Sequence, residues 1–176
     1  MKTCREQCVM EEKYNKNEKI KGAVFLLLSI LWMTVIFMFS AQTGEVSDKQ
    51  SGFLTDIVRR LIPFELSESE TATITFIIRK MAHFTEYAIL GALYFETVYY
   101  LVMCKKLKKK LYYKTVLLAT ALCMMYAVSD EFHQSFTDGR SPSVRDVIID
   151  ILGGFAGSML VLLIICIATK KKSEEK

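Results

Sequence analysis

Between Arg79 and Asp150 the chain carries acids, bases and amides at spacings that helices would bring together. Arg79, His83 and Glu86 follow i, i+4, i+7 and so share one helix face. Asp146 and Asp150 stand one turn apart, and the same stripe continues through Gly153 and Gly157. Between these two groups lie Asp130-Glu131-Phe132-His133-Gln134 and then Gly139-Arg140. Such residues suit two tasks: holding an anionic group on Arg79 or Arg140, and moving a proton through His83 or His133, because imidazole titrates near neutrality. The candidate catalytic set is therefore Arg79, His83, Glu86, Asp130, Glu131, His133, Gln134, Arg140, Asp146 and Asp150. Ser40 and Gln42, closing the first apolar run, are binding candidates. A divalent metal on His83, Glu86, His133, Asp130 or Asp150 is compatible with these residue types, but Asp-Glu-x-His matches no ligand motif and no cofactor is assigned.

The competing reading is a network that only holds helices together, with Arg79 on Asp146 or Asp130 and His83 on Asp150. Apolar packing could hold the helices without so many costly groups, so the whole set points to function.

The elements that must position these residues are apolar. Hydrophobic residues make up 52% of the 176 and mean hydropathy is positive, high for a soluble chain. Four stretches are nearly free of charge: 22–40, about 77–104, 111–129 and 144–169. Each is long enough to cross a hydrocarbon core of about 30 Å, which needs roughly 20 helical residues. A secretory signal peptide is the alternative for the first, but Phe25 to Phe39 is long for one and Ser40-Ala41-Gln42 is a poor cleavage site.

The net charge of +4 matters less than where the charges fall, and it gives no reason to expect nucleic acid as a partner. Six Lys/Arg precede Gly22, six follow the second stretch with no acid among them (Lys105 to Lys110 and Lys114), and four close the chain. The other two connections are poor in bases: three Lys/Arg against six Asp/Glu over 41–75, and two against three over 130–145. Under the positive-inside rule four crossings satisfy this pattern, with both termini cytoplasmic. The expected fold is thus all-α, an integral-membrane four-helix bundle (22–169) between a basic head (1–21) and a basic tail (170–176). All the candidate clusters then meet at the outer face.

From Val46 to Ile62 the residues Phe53, Leu54, Ile57, Val58, Leu61 and Ile62 recur at helical spacing, and Pro63 ends the run. This predicts an amphipathic helix on the outer surface between the first two spans. Ser67-Glu68-Ser69-Glu70 is a capping-box pattern that starts the next helix about two turns before the membrane, and Ser143 after Pro142 would cap the last one. Cys4, Cys8 and Cys104 fall on the inner side and Cys123 and Cys166 within apolar helices, so no disulfide framework is implied. The tyrosines Tyr87, Tyr94, Tyr99, Tyr100, Tyr112 and Tyr113 read as packing and interfacial aromatics.

In its ordered motifs the chain resembles the VanZ-like family of small bacterial membrane proteins over about residues 25–165. The likeness rests on Phe39-Ser40-Ala41-Gln42, on Arg79 to Tyr87 with Leu90-Gly91, and on Ser129 to Gln134 with Gly139-Arg140. Asp146, Asp150, Gly153 and Gly157 complete it. The resemblance implies a bacterial plasma-membrane protein of the cell envelope, in a family named for a member that lowers susceptibility to teicoplanin. Three functions follow as expectations. One is an enzyme at the outer leaflet acting on a lipid-linked or anionic head-group substrate. The second is a non-catalytic protein that binds or shields a lipid or lipoglycopeptide. The third is a small transporter or channel, for which four helices without an inverted repeat are few.

Overall fold

The computed structural model describes residues 4–62, 67–103, 112–140 and 142–174, with the backbone alone at 4–15, 103 and 172–174. Pro63, Cys104, the run Lys105 to Lys110 and the side chains of Cys4 and Cys8 lie outside the described residues. Within them the chain forms five α-helices: α1 Cys4–Ser40, α2 Gly44–Leu61, α3 Glu68–Val98, α4 Tyr112–Gln134 and α5 Val144–Glu174. A π-helical turn, Tyr99–Met103, continues α3. Several helices outrun the apolar stretches that signal them. Hydropathy marks where a helix meets an apolar surrounding, and no proline or glycine stops α1 before Gly22.

Three helical segments are long and apolar enough to cross a membrane: Lys16–Ser40, Tyr112–Gln134 and Val144–Lys171. α3 is as long as α5, but Arg79, Lys80, His83, Glu86 and Glu96 interrupt its apolar surface. The packing explains why. α3 is the central helix, contacting α1, α2, α4 and α5, so its polar residues can face protein. Leu26, Leu27, Ile30 and Leu31 of α1 and Leu160, Leu163, Ile164 and Ile167 of α5 face outward instead. Apolar surface on this scale is compatible with a multi-pass membrane protein.

The core is built on Tyr87, Leu90 and Phe95 of α3, with Ile36 of α1 and Val116, Ala119, Cys123 and Ala127 of α4. On the α5 side, glycines replace side chains. A Cβ on Gly153 or Gly157 would run into the backbone carbonyl of Phe84 or Ala88, and one on Gly91 into that of Gly154. The Ser158 hydroxyl donates across this seam to the Gly91 carbonyl at 3.0 Å. Polar stitches tie α1 to the rest: Trp32 Nε1 donates to the Glu86 carbonyl at 2.9 Å, and the Tyr126 hydroxyl to the Met33 carbonyl at 2.7 Å.

α2 turns an unexpected face inward. Ser51 and Thr55 are buried against α3, with the Thr55 and Thr75 hydroxyls 2.9 Å apart, while Phe53, Leu54, Ile57 and Leu61 stay exposed. α3 starts as its sequence predicts. The Ser67 hydroxyl accepts the Glu70 N–H, and the Ser67 N–H donates to the Glu70 carboxylate at 2.8 Å. Those Ser67 hydrogen bonds hold the Glu70 carboxyl below its ordinary range. Ser67→Ala is expected to fray the first turn of α3, which would appear as several-fold faster hydrogen exchange at the Glu70 amide with the protein otherwise folded.

Candidate functional site

The polar face of α3 points into two cavities at the end of the molecule where α1 finishes and α5 begins. The first holds about 200 Å³. Arg79, His83 and Glu86 line it together, as their spacing predicts, joined by Ser40 and Gln42 of the α1 end, Asp130 of α4 and Arg140. Ser47, Gln50 and Ser51 of α2 also line it, beside an apolar wall of Ile36, Phe39, Leu54, Ile78 and Ala82. The second holds about 320 Å³ and is lined by Arg79, Lys80, His83, Gln134, Arg140, Arg145 and Asp146. Ser47, Arg79, His83 and Arg140 border both. Glu131, His133 and Asp150 line neither, although all three lie in the same cluster.

The ion pairs differ from those expected. Lys80, not Arg79, meets Asp146, and Arg79 reaches across to Asp48 of α2. His83 does lie beside Asp150, with Nδ1 4.0 Å from its Oδ1 and also 4.0 Å from Glu86 Oε2. These distances exceed a hydrogen bond but are within reach through one water or a small rotation.

Two candidates hold the architecture together. Arg140 donates from Nε to the Gln42 carbonyl (3.1 Å), from Nη2 to the Phe39 carbonyl (3.2 Å) and from Nη1 to Gln134 Oε1 (3.3 Å). It therefore clamps the last turn of α1, whose carbonyls have no partners within the helix. Burial, and after it the neighbouring Arg79 guanidinium, lower its basicity, and it stays a cation. The Glu131 carboxylate accepts the backbone N–H of Ser143, so an acid of α4 caps α5, in keeping with the helix dipole. His133 stacks on Phe37 with ring centroids 4.5 Å apart. Asp130 accepts from Gln134 Nε2 at 3.2 Å.

Eight buried side-chain polar atoms among the described residues lack a well-formed hydrogen bond. Seven of them belong to this cluster: Ser40 Oγ, Arg79 Nε, His83 Nδ1, Tyr87 Oη, Asp130 Oδ1, His133 Nε2 and Asp150 Oδ1. Leaving such a group unsatisfied costs about 1–3 kcal/mol, and buried polar groups in folded proteins are almost always satisfied by protein, water or ligand. Seven of the eight lie at this one end of the molecule. Among the described residues no three His, Cys, Asp or Glu side chains are grouped to hold a metal.

Lys80, Arg145, Asp48 and Tyr87 belong to the site although their spacing did not single them out. Lys80 is one turn before His83 and Tyr87 one turn after it, so both were within reach of the same helical rule. The tyrosine packs against Tyr126, as an aromatic in a core should, yet its hydroxyl ends among the site's polar atoms. Asp48 and Arg145 enter only through how α2 and the start of α5 pack, which nothing in their own neighbourhoods signals.

No curated protein and no solved structure gives a significant match to the chain. A family model described as VanZ/LLP1 matches residues 25–165, from the first apolar helix through both cavities and the glycine seam. The chain belongs to the VanZ-like family.

Proposed function

We propose that the chain crosses the bacterial plasma membrane four times, through α1, α3, α4 and α5, with both termini in the cytoplasm and the polar cavities at the outer face. There it acts on an anionic or lipid-linked substrate of the cell envelope, with His83 carrying the proton between Glu86 or Asp150 and the bound group. The observation that carries this reading is the gathering of six unsatisfied polar atoms from α1, α3 and α4, with Asp150 Oδ1 of α5, at the end of the molecule that holds both cavities, the larger lined by four cations. The basic head, inner loop and tail support the orientation. The exposed apolar side of α2 supports its lying on the outer surface, with Ser51 and Thr55 turned to α3.

A second reading is binding without chemistry, of a lipid or an acyl-bearing lipoglycopeptide. The apolar wall of the first cavity favours it, because each methylene buried there would add about 0.8 kcal/mol.

Both readings meet in one experiment. The wild-type chain, His83→Ala/Asp150→Ala and an empty vector are expressed in a susceptible Gram-positive host at matched membrane levels, and inhibition by teicoplanin and vancomycin is compared. The expected result is protection from teicoplanin that the double variant loses, since general acid–base groups contribute about 10²–10⁴ in rate. Protection retained by the double variant would favour binding alone. No protection from any chain would remove the link to teicoplanin and direct the search to native lipid-linked substrates.

A further inference from the structure

The larger cavity has a charge pattern that the proton-transfer reading does not use. Four cations line it, Arg79, Lys80, Arg140 and Arg145, against one carboxylate, Asp146. Arg79 is matched by Asp48 and Lys80 by Asp146. Arg140 and Arg145 make no ion pair with a carboxylate among the described residues. Arg140 spends three N–H groups on neutral acceptors, which leaves two of its five free. Arg145 is exposed and has no ion pair among the described residues.

Donors gather around the cavity, with acids standing behind them: the Glu131 carboxylate holds the Ser143 N–H, and Asp130, Glu131 and Glu86 act on the charge of Arg140. Ser47 and Ser143 bring hydroxyls to the rim, beside the N-terminus of α5 that the Glu131 carboxylate caps. Arg79 lies close enough to Arg140 to depress its basicity, a juxtaposition that an anion between the two would relieve. A lining of four cations against one carboxylate suits a group of charge −2 better than one of charge −1, and forked guanidiniums fit phosphate oxygens in pairs.

We propose that this recess between the start of α2, α3 and the α4–α5 connection binds a dianionic phosphate group, held chiefly by Arg140 and Arg145 with Lys80 at its side. The proposal names the substrate class for the site described above and rests on that reading. The same phosphate chemistry could arrive on a lipid or free in solution.

Direct binding separates these sources and stands apart from the susceptibility assay. Purified wild-type protein in detergent is titrated by thermophoresis with short-chain phosphatidic acid, with phosphatidylglycerol and with inorganic phosphate. The titrations run at about pH 8, where a phosphomonoester is doubly charged. Phosphatidic acid is expected to bind more tightly than phosphatidylglycerol, whose phosphodiester carries a single charge. Arg145→Gln, at an exposed position that folding does not depend on, is expected to weaken that binding about tenfold, as is Lys80→Gln. Lys114→Gln, an exposed charge at the other end of α4, should leave it unchanged. Competition by inorganic phosphate would assign the recess to phosphate from either source, and no competition would assign it to the lipid. Equal binding of the two lipids overturns the proposal, as does undiminished binding by both Arg145→Gln and Lys80→Gln. The proton-transfer reading would fail separately, through protection that survives in the His83/Asp150 variant.

Discussion

Gly157→Val is expected to leave little folded protein, and Gly157→Ala to lower stability by about 3 kcal/mol, the upper end of ordinary overpacking. The reason is the seam between α3 and α5. A Cβ at Gly157 would fall inside the Ala88 carbonyl, with other atoms of the same residue at 2.6 and 2.9 Å, and all of these atoms are backbone. A flexible side chain could move aside, but a helix backbone cannot without shifting as a unit. Gly153 meets Phe84 in the same way one turn earlier, so α5 cannot tilt to relieve one position without disturbing the other. Small residues that let helices approach this closely are a common device where lipid surrounds them. Separating the helices would also move Asp150 away from His83, so function should fall with stability. Thermal unfolding in detergent measures the first effect. Gly52→Ala serves as the control of opposite sign. Nothing lies within 4 Å of a Cβ there, and the change should stabilise α2 by about 0.5–1 kcal/mol through helix propensity.

Arg140→Ala is expected to destabilise the protein by about 2–3 kcal/mol, the loss of three hydrogen bonds from a half-exposed cation to neutral acceptors. Three hydrogen bonds vanish, one to the Phe39 carbonyl in the last turn of α1, one to the Gln42 carbonyl just beyond it, and one to the Gln134 amide oxygen. The end of α1 and the start of α2 are joined by only a few residues, and Gly44 donates to the Asp138 carbonyl at 3.1 Å beside the same arginine. Hydrogen exchange should therefore rise at the end of α1 and around Gly44 before it rises elsewhere. Arg140→Lys should restore little, because an ammonium on a flexible stem cannot reach three acceptors set in different directions. Chemical denaturation of the three proteins gives the ranking. A lysine variant as stable as wild type would show that charge alone is needed and that the clamp geometry is incidental. The arginine thus has two roles, and the structural one must be measured before any loss of activity in this variant is read as lost ligand binding.

Much of the site was legible because it is written within single helices. Arg79, His83 and Glu86 share a face for the same reason that Asp146, Asp150, Gly153 and Gly157 do: 3.6 residues per turn, a property of the local chain. The capping box at Ser67 and Glu70 is likewise local, and the structure carries it as the residues predict. Apolar runs announced the long helices, although not where they begin or end. Even the purpose of Gly153 and Gly157 could be read, since a glycine pair one turn apart has little reason to exist in an apolar helix except close approach.

The pairing of charges could not be read this way. Which acid each cation meets depends on the rotation and axial offset of one helix against another, and those follow from how close the glycines let α3 and α5 come. At that offset Lys80 rather than Arg79 meets Asp146, and Arg79 is left for Asp48 on a helix that sequence alone placed only at the surface. α2 was legible as amphipathic, but its periodicity could not say that small hydroxyl residues would pack inward while Phe53, Ile57 and Leu61 stayed out. Arg140 and Glu131 read as chemistry because their types suit chemistry. Their contacts with the end of α1 and the start of α5 exist only once those ends are brought together. The sequence by itself determined the helices, their polar faces and the glycine seam, because each depends on neighbours a turn away. Tertiary structure alone decided the ion pairs, the clamp, the cap and the cation-lined recess, because each depends on the relative placement of helices that no local spacing records.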